Sequence, residues 1–402
     1  MIPLFFVVFL DLVGFGMIIP VLPFYAEKLG ISASLIIFLF GLYSLGQLFG
    51  APLWGALSDR TGRRPILLAT LLANAAANLL LAFAVNSWEL AASRLISGLA
   101  AGNISIAYAY ITDVSSDAQR PKALGMLGAA FGLGFILGPA LGGLLAGGDA
   151  AGGGISRVAF AAAFMSMMAF VASFFFLTES HGEEHRAAVH AQPRGLQWDL
   201  LRRPALRELL GATLVVVGAM SMLQGTFALW SAQDLGVTPR QLGWIFSFIG
   251  VIAVTVQAAL IGPMTRLLGP EKLSVVGTVL VSIGLVIMPF SPNLWISLFP
   301  MGLYAVGSAL FSPSVSNLVS RTAGPTERGA VMGLFQGTSS LGRVLGPVAA
   351  SGISVVATLR MPFWVAAVIT FVGAMLLRDV GSHMPVVVEP LDAGSAVPVA
   401  PE

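Results

Sequence analysis

The sequence predicts an all-α integral membrane protein with twelve transmembrane helices in two pseudo-symmetric six-helix bundles. Three observations carry that prediction. Of 402 residues, 56% are hydrophobic and only 10% are charged, against about 25% charged in an ordinary soluble domain, so the bilayer must be the solvent for most of the chain. Apolar runs approaching the roughly 20 residues that a spanning helix needs recur twelve times along the chain. The second six runs also repeat features of the first six at a fixed spacing.

The first set covers 2–25, 34–55, 65–85, 88–111, 123–145 and 158–177; the second covers 207–230, 242–264, 273–290, 294–319, 330–355 and 361–377. The expected organisation is an amino-terminal bundle over 1–178, a polar cytoplasmic linker over 179–206, a carboxy-terminal bundle over 207–378 and a disordered cytoplasmic tail over 379–402. Met1 leads straight into the first run, and the first basic side chain is Lys28. A secretory signal needs a basic start and a small-residue cleavage site, so the first run is expected to remain as a helix.

Orientation follows from the basic residues. With the amino terminus inside, inner loops hold Arg60, Arg63, Arg64, Arg120, Lys122, Arg266, Lys272, Arg321 and Arg328, and outer loops only Lys28, Arg157, Arg240 and Arg360. The bias puts both termini in the cytoplasm of a bacterial cell, with the chain in the inner membrane. Trp88, Trp230, Trp244, Trp295 and Trp364 fall near expected helix ends, where interfacial aromatics belong.

Composition also excludes function classes. A net charge of +2 is too small to suggest a nucleic-acid partner. The absence of cysteine removes thiol chemistry. No G-x-x-x-x-G-K-[ST] loop is present, so ATP is not the expected energy source. His181, His185, His190 and His383 lack metal-ligand spacing. No metal, no cofactor and no enzymatic activity are expected, and the protein is expected to be a monomer.

The duplication is legible residue by residue. Gly125, Gly134, Gly138 and Pro139 recur 208 positions later as Gly333, Gly342, Gly346 and Pro347, and Arg120 recurs as Arg328. The stretch from Gly55 to Gly62 recurs faintly 207 positions later, from Gly262 to Gly269. A six-plus-six duplication with a polar linker is a transporter architecture, with the substrate site expected between the halves near the midplane.

Three motifs carry the chemistry. Between the second and third runs lies G-A-L-S-D-R-T-G-R-R, in which Gly55 and Gly62 allow a tight turn and Asp59, Arg60, Arg63 and Arg64 supply charge. In the fifth run, G-x-x-x-G-P-x-x-G-G puts Gly134, Gly138 and Gly142 on one face, where another helix can approach closely, and Pro139 removes a backbone donor. The third feature is Asp11, about ten residues into the first run and thus about 15 Å deep. Keeping a carboxylate charged there costs about 3 kcal/mol on insertion scales. An ionisable residue at that depth is functional by default, and Asp11 is the expected proton carrier.

Arg94 lies inside the fourth run, at a depth from which it reaches toward Asp11. Arg343 falls in the eleventh, where Gln336, Ser339, Ser340 and Arg343 follow i, i+3, i+4, i+7 spacing and form a polar stripe that must face protein or a wet cavity. Gln47, Asn103, Gln224, Tyr304 and Ser308 are further polar side chains inside runs. Amid many Phe and Met side chains they suit a cavity for an amphipathic compound.

These motifs resemble those of the major facilitator superfamily, and in particular its drug/proton antiporters of the tetracycline-efflux type. The resemblance covers essentially the whole chain. It implies that Asp59 packs against the amino-terminal end of the eleventh helix, a carboxylate meeting the positive end of a helix dipole. It implies that Asp113 pairs with a loop arginine such as Arg63, and that the glycines of the fifth helix mark an antiporter. The tetracycline exporters also carry an acid in the third helix, where this chain has Ala77 beside Asn78, and one in the ninth, where 273–290 has none. Tetracycline itself is therefore not carried over as substrate. The expected function is proton-coupled efflux of a small lipophilic or amphipathic compound by alternating access, with small molecule, protons and lipid bilayer as partners. A metabolite symporter or uniporter of the same fold is the first alternative. A non-transporting membrane scaffold or sensor is the second.

Overall fold

The computed structural model describes residues 2–116, 119–147, 154–180, 198–323 and 327–383. His181, His185 and His190, most of the expected linker and the tail beyond 383 lie outside the described residues. Among the described residues there is helix and no strand. A chain in hydrocarbon must satisfy its backbone polar groups internally, and helices do so within one segment.

The helices of the first half are α1 (Ile2–Ile18), α2 (Leu22–Lys28), α3 (Ala33–Thr61), α4 (Arg63–Phe83), α5 (Ser87–Ala100), α6 (Asn103–Val114), α7 (Arg120–Ala146) and α8 (Gly154–Phe176). Those of the second half are α9 (Pro204–Leu235), α10 (Pro239–Thr255), α11 (Ile261–Ile287), α12 (Leu294–Arg321), α13 (Arg328–Val356) and α14 (Met361–His383). Among the described residues, eleven helical stretches are long and apolar enough to cross a membrane. One of them, Pro239–Phe290, has 52 residues, the length of two crossings. Its backbone leaves helical geometry at Gly269, with φ 76°, so twelve crossings fit.

Several boundaries move. The first crossing breaks over Ile19, Pro20 and Val21, and the fourth at Ala101 and Gly102. The last helix continues to His383, past the expected end of the bundle. The motif at Gly55 is not a loop: α3 runs through it to Thr61, and only Gly62, with φ 111°, makes the turn. No L side chain adopts that φ readily, so the sequence places glycine there and again at Gly269, 207 positions later.

The duplication extends to helix caps. Asn86 accepts from the N–H of Glu89, and Asn293, 207 positions later, accepts from the N–H of Ile296. Each satisfies a donor left open by a helix start. Trp88 and Trp295 follow these caps and are 83% and 78% exposed, as aromatics at an interface should be. Trp230 is not one of them. It is fully buried, tilted against Phe227 and edge-on to Phe363, because α9 is wrapped by α13 and α14.

Within the first half α1 packs on α7 and α8, and α3 on α5; within the second α9 packs on α13 and α14, and α11 on α12. The halves meet along two crossings, α3 with α13 and α7 with α10. Gly41 faces Val344 and Pro347, Gly243 faces the carbonyl of Pro139, and Gly250 faces Phe135 and Ile136. The same faces carried toward the ends that hold Arg63, Lys122 and Arg321 present Gly55, Gly125, Gly128, Gly333 and Gly337, and none of these has a neighbour within 4 Å of where a Cβ would stand. The helices therefore touch in the half far from the basic loops and splay apart toward the basic end. Glu27 and Gln233, joined by a 3.1 Å hydrogen bond, tie the halves at the closed end.

Candidate functional site

Asp11 is 7% exposed. The glycine face of α7 lies against α1: Gly134 meets Leu12, Gly138 meets Val13 and Gly16, and Gly142 meets the carbonyl of Met17. That close approach presses one side of α1 into the bundle and turns Asp11 toward α4 and α6. Asn74 Nδ2 donates to Asp11 Oδ1 at 2.9 Å and Asn103 Nδ2 donates to Oδ2 at 2.6 Å. Asn74 Nδ2 also donates to Ser166 Oγ on α8 at 3.2 Å. Asn103 opens α6 because the chain breaks at Gly102, where a Cβ would stand 2.7 Å from the Trp54 ring. A small pocket lined by Val7, Val8, Leu67, Asn103 and Ile104 opens beside the carboxylate.

The expected partner of Asp11, Arg94, makes no hydrogen bond to it. Arg94 is 4% exposed, and its Nε and Nη2 are buried without a partner. Two amides thus do what a guanidinium was expected to do. An amide donates to a carboxylate and accepts from a carboxylic acid, so it suits both protonation states. A guanidinium suits only the ionised one.

The midplane has a second cluster. Tyr43 of α3 packs its ring on Phe15 at 4.8 Å between centroids and stands within electrostatic reach of Asp11, Arg94 and Arg343. Arg343 Nη2 donates to Ser340 at 3.0 Å, and its Nε is buried without a partner. The stripe on α13 is thus partly used: Ser339 bonds the carbonyl of Phe335 in its own helix, and Gln336 is exposed. Among the other cavity candidates Gln47 is half-buried one turn from Tyr43, and Gln224 is exposed. The hydroxyl of Tyr304 donates to the Met220 carbonyl at 3.3 Å and that of Ser308 to Ala305.

At the basic end the charges form a network. Arg63, with a side chain 9% exposed, pairs with Asp59 at 2.5 Å and with Asp113 at 3.0 Å, and donates to Ser58 at 2.7 Å. An acid at a helix carboxy terminus opposes the helix dipole, and Arg63 offsets this for Asp59 across one turn. Arg60 is exposed, and Arg64 reaches the carbonyl of Phe174 and lies over its ring. Glu179 caps α4 by accepting from the N–H groups of Arg63 and Arg64 at 2.9 and 3.2 Å.

Sequence reasoning did not assign Asn74, Ser166, Glu179 or Tyr43 to the site. Glu179 had a signal, an acid directly after the last run of the first half. Ser166 had none, since a lone serine in a helix more often bonds its own backbone.

Comparison with known proteins agrees with this architecture. The sequence profile of the Major Facilitator Superfamily matches residues 4–223 and 209–396. Multidrug resistance protein 2 of Bacillus subtilis (strain 168) is 28% identical, over 91% of this chain and 91% of its own. The class G tetracycline resistance protein of Vibrio anguillarum is 31% identical, over 85% of this chain and 87% of its own. The crystal structure of a bacterial homolog of the human lysosomal transporter Spinster, inward-facing and unoccupied, superposes with a TM-score of 0.79 at 14% identity, covering 95% of this chain and 96% of that one. With two duplicated halves, an acid buried in the first helix and a family profile that matches nearly its whole length, the chain belongs to the Major Facilitator Superfamily.

Proposed function

We propose that this transporter exports a small lipophilic or amphipathic compound in exchange for protons, by alternating access. The observation that carries the reading is Asp11: a carboxylate sequestered near mid-depth and held by neutral amides. Such a group binds and releases a proton without breaking an ion pair. The resistance proteins among the relatives support export as the direction. The two crossings between the halves, closed at one end and splayed at the other, suit a carrier that opens to one side at a time. The basic end is the cytoplasmic one and the membrane is the bacterial inner membrane, on the positive-inside bias. Asp59, Arg63 and Asp113 act as the gate of that end, and Asp11 is the coupling site.

The driving force is sufficient. One proton moving inward gains about 2.3 kcal/mol per 100 mV and about 1.4 kcal/mol per pH unit. At about 100 mV and one unit this supports a gradient of roughly 10³ in a neutral solute. The test is a substrate screen in proteoliposomes under an imposed pH gradient. Uphill movement that collapses with a protonophore is expected. Movement that only follows the solute's own gradient would make the protein a uniporter.

A further inference from the structure

The coupling acid leaves the two midplane arginines unexplained. Arg94 comes from α5 in the first half and Arg343 from α13 in the second. They converge because α3 touches both helices within a few residues. The backbone of Tyr43 lies against Gly98, one turn after Arg94, and Gly41 lies against Val344, next to Arg343. Both guanidiniums keep buried N–H donors without acceptors, Nε and Nη2 on Arg94 and Nε on Arg343. Neither forms an ion pair with a described carboxylate. Asp11 does not answer them, since its oxygens accept from Asn74 and Asn103 and from neither arginine.

A buried, underused guanidinium is costly. Its cost is recovered by a planar anionic acceptor. We propose that the space between Arg94, Tyr43 and Arg343 binds one acidic group of the substrate, a carboxylate or an ionised enol or phenol of similar geometry. The rest of the substrate lies along the aromatic wall of Phe15, Tyr43 and Phe135. This assigns a substrate class to the transport reading and rests on it. Because one arginine belongs to each half, an anion held by both draws α5 and α13 toward one another, and binding then favours closure of the splayed end. The anion site stands on α3, α5 and α13, whereas Asp11 is bound from α4 and α6, so proton and substrate occupy different places.

The test uses the full chain in detergent and four probes with one ring system: 1-naphthylacetate, its methyl ester, 1-naphthylmethanol and 1-naphthylmethylamine. Binding is read by thermal stabilisation and tryptophan quenching. The carboxylate is expected to bind about ten- to a hundredfold more tightly than the ester, the worth of a charge-assisted hydrogen bond. Arg343→Gln removes that preference while leaving ester binding in place. Arg94→Lys, which keeps the buried charge, weakens it without unfolding the protein. Equal binding of all four probes, a preference for the amine, an undiminished carboxylate preference in Arg343→Gln, or no carboxylate binding at millimolar concentration overturns the assignment. Carboxylate selection in a protein that moves no probe uphill under a pH gradient sinks the export reading and leaves the acid site standing. Gradient-driven movement without carboxylate selection does the reverse.

Discussion

The α1–α7 crossing and the α9–α13 crossing share one skeleton and differ in chemistry. In the first, Gly138 lies against Gly16; in the second, Gly346, 208 positions later, lies against Gly218 and Ser221. Both use glycine to bring backbones closer than any side chain permits. Around that shared contact the polarity divides. The first crossing carries Asp11 on its early helix and Phe135 on its late one. The second carries Thr213 and Ser221 early, with hydroxyls given to backbone carbonyls, and late it carries Arg343, 208 positions after Phe135. Duplication preserved what packing requires and released what chemistry uses. The acid is in the first half alone, whereas each half carries an underused arginine, Arg94 and Arg343, so a compound between the halves meets a base on each side.

The largest effect that tests this comparison is Asp11→Asn. It should abolish pH-driven accumulation in proteoliposomes while leaving exchange of labelled for unlabelled substrate. Retained accumulation would mean that the first crossing holds no coupling acid and that the two halves differ less than their residues suggest. Next is the contrast between Asn103→Ala and Thr213→Val. Losing a donor to an ionised group costs about 1.5–3 kcal/mol and losing a neutral hydroxyl bond about 0.5–1.5 kcal/mol. Initial rates of pH-driven transport should therefore fall much further for Asn103, and equal losses would place coupling in both halves.

The shared skeleton is tested by Gly142→Ala and Gly346→Ala. Their new methyls would stand 2.1 Å from the Met17 carbonyl and from the Ser221 hydroxyl. Overpacking of this kind costs about 1–3 kcal/mol, so both variants should lose yield and melting temperature to a similar degree. Gly125→Ala, with nothing within 4 Å, should be tolerated in the same assay. The smallest effect is Asp59→Asn. Asp59 is a partly exposed partner of Arg63, and such a pair is worth about 0–1 kcal/mol, so transport should drop a few fold at unchanged membrane insertion. An unaltered rate would reduce the basic network to a topological anchor.

Much of the skeleton was legible because it is written in single residue types. A bilayer admits few charges, so composition alone identifies the solvent. A left-handed turn admits glycine, so Gly62 and Gly269 announce themselves. The glycine face of α7 could be read from its spacing, as could the pairing of Arg63 with Asp113 from the resemblance. What escaped was partner choice. Arg94 was the expected neighbour of Asp11 because both sit at similar depth, but depth leaves the angle around the bundle open. Trp230 was assigned to the interface by its place in the run, and the packing of α13 and α14 buried it instead.

The sequence by itself determined that this chain lies in a membrane, that its two halves are copies, and that one carboxylate is buried deep. All three follow from local properties: hydropathy, repeat spacing and the position of a charge within a helix. Only the tertiary structure decided that Asn74 and Asn103, 63 and 92 residues from Asp11, hold that carboxylate, and that Arg94 and Arg343 are left with open donors beside Tyr43. Helices fix side-chain positions along and around their own axes. Which faces meet depends on how closely neighbouring backbones approach, and in this chain a few glycines distant in sequence set that approach.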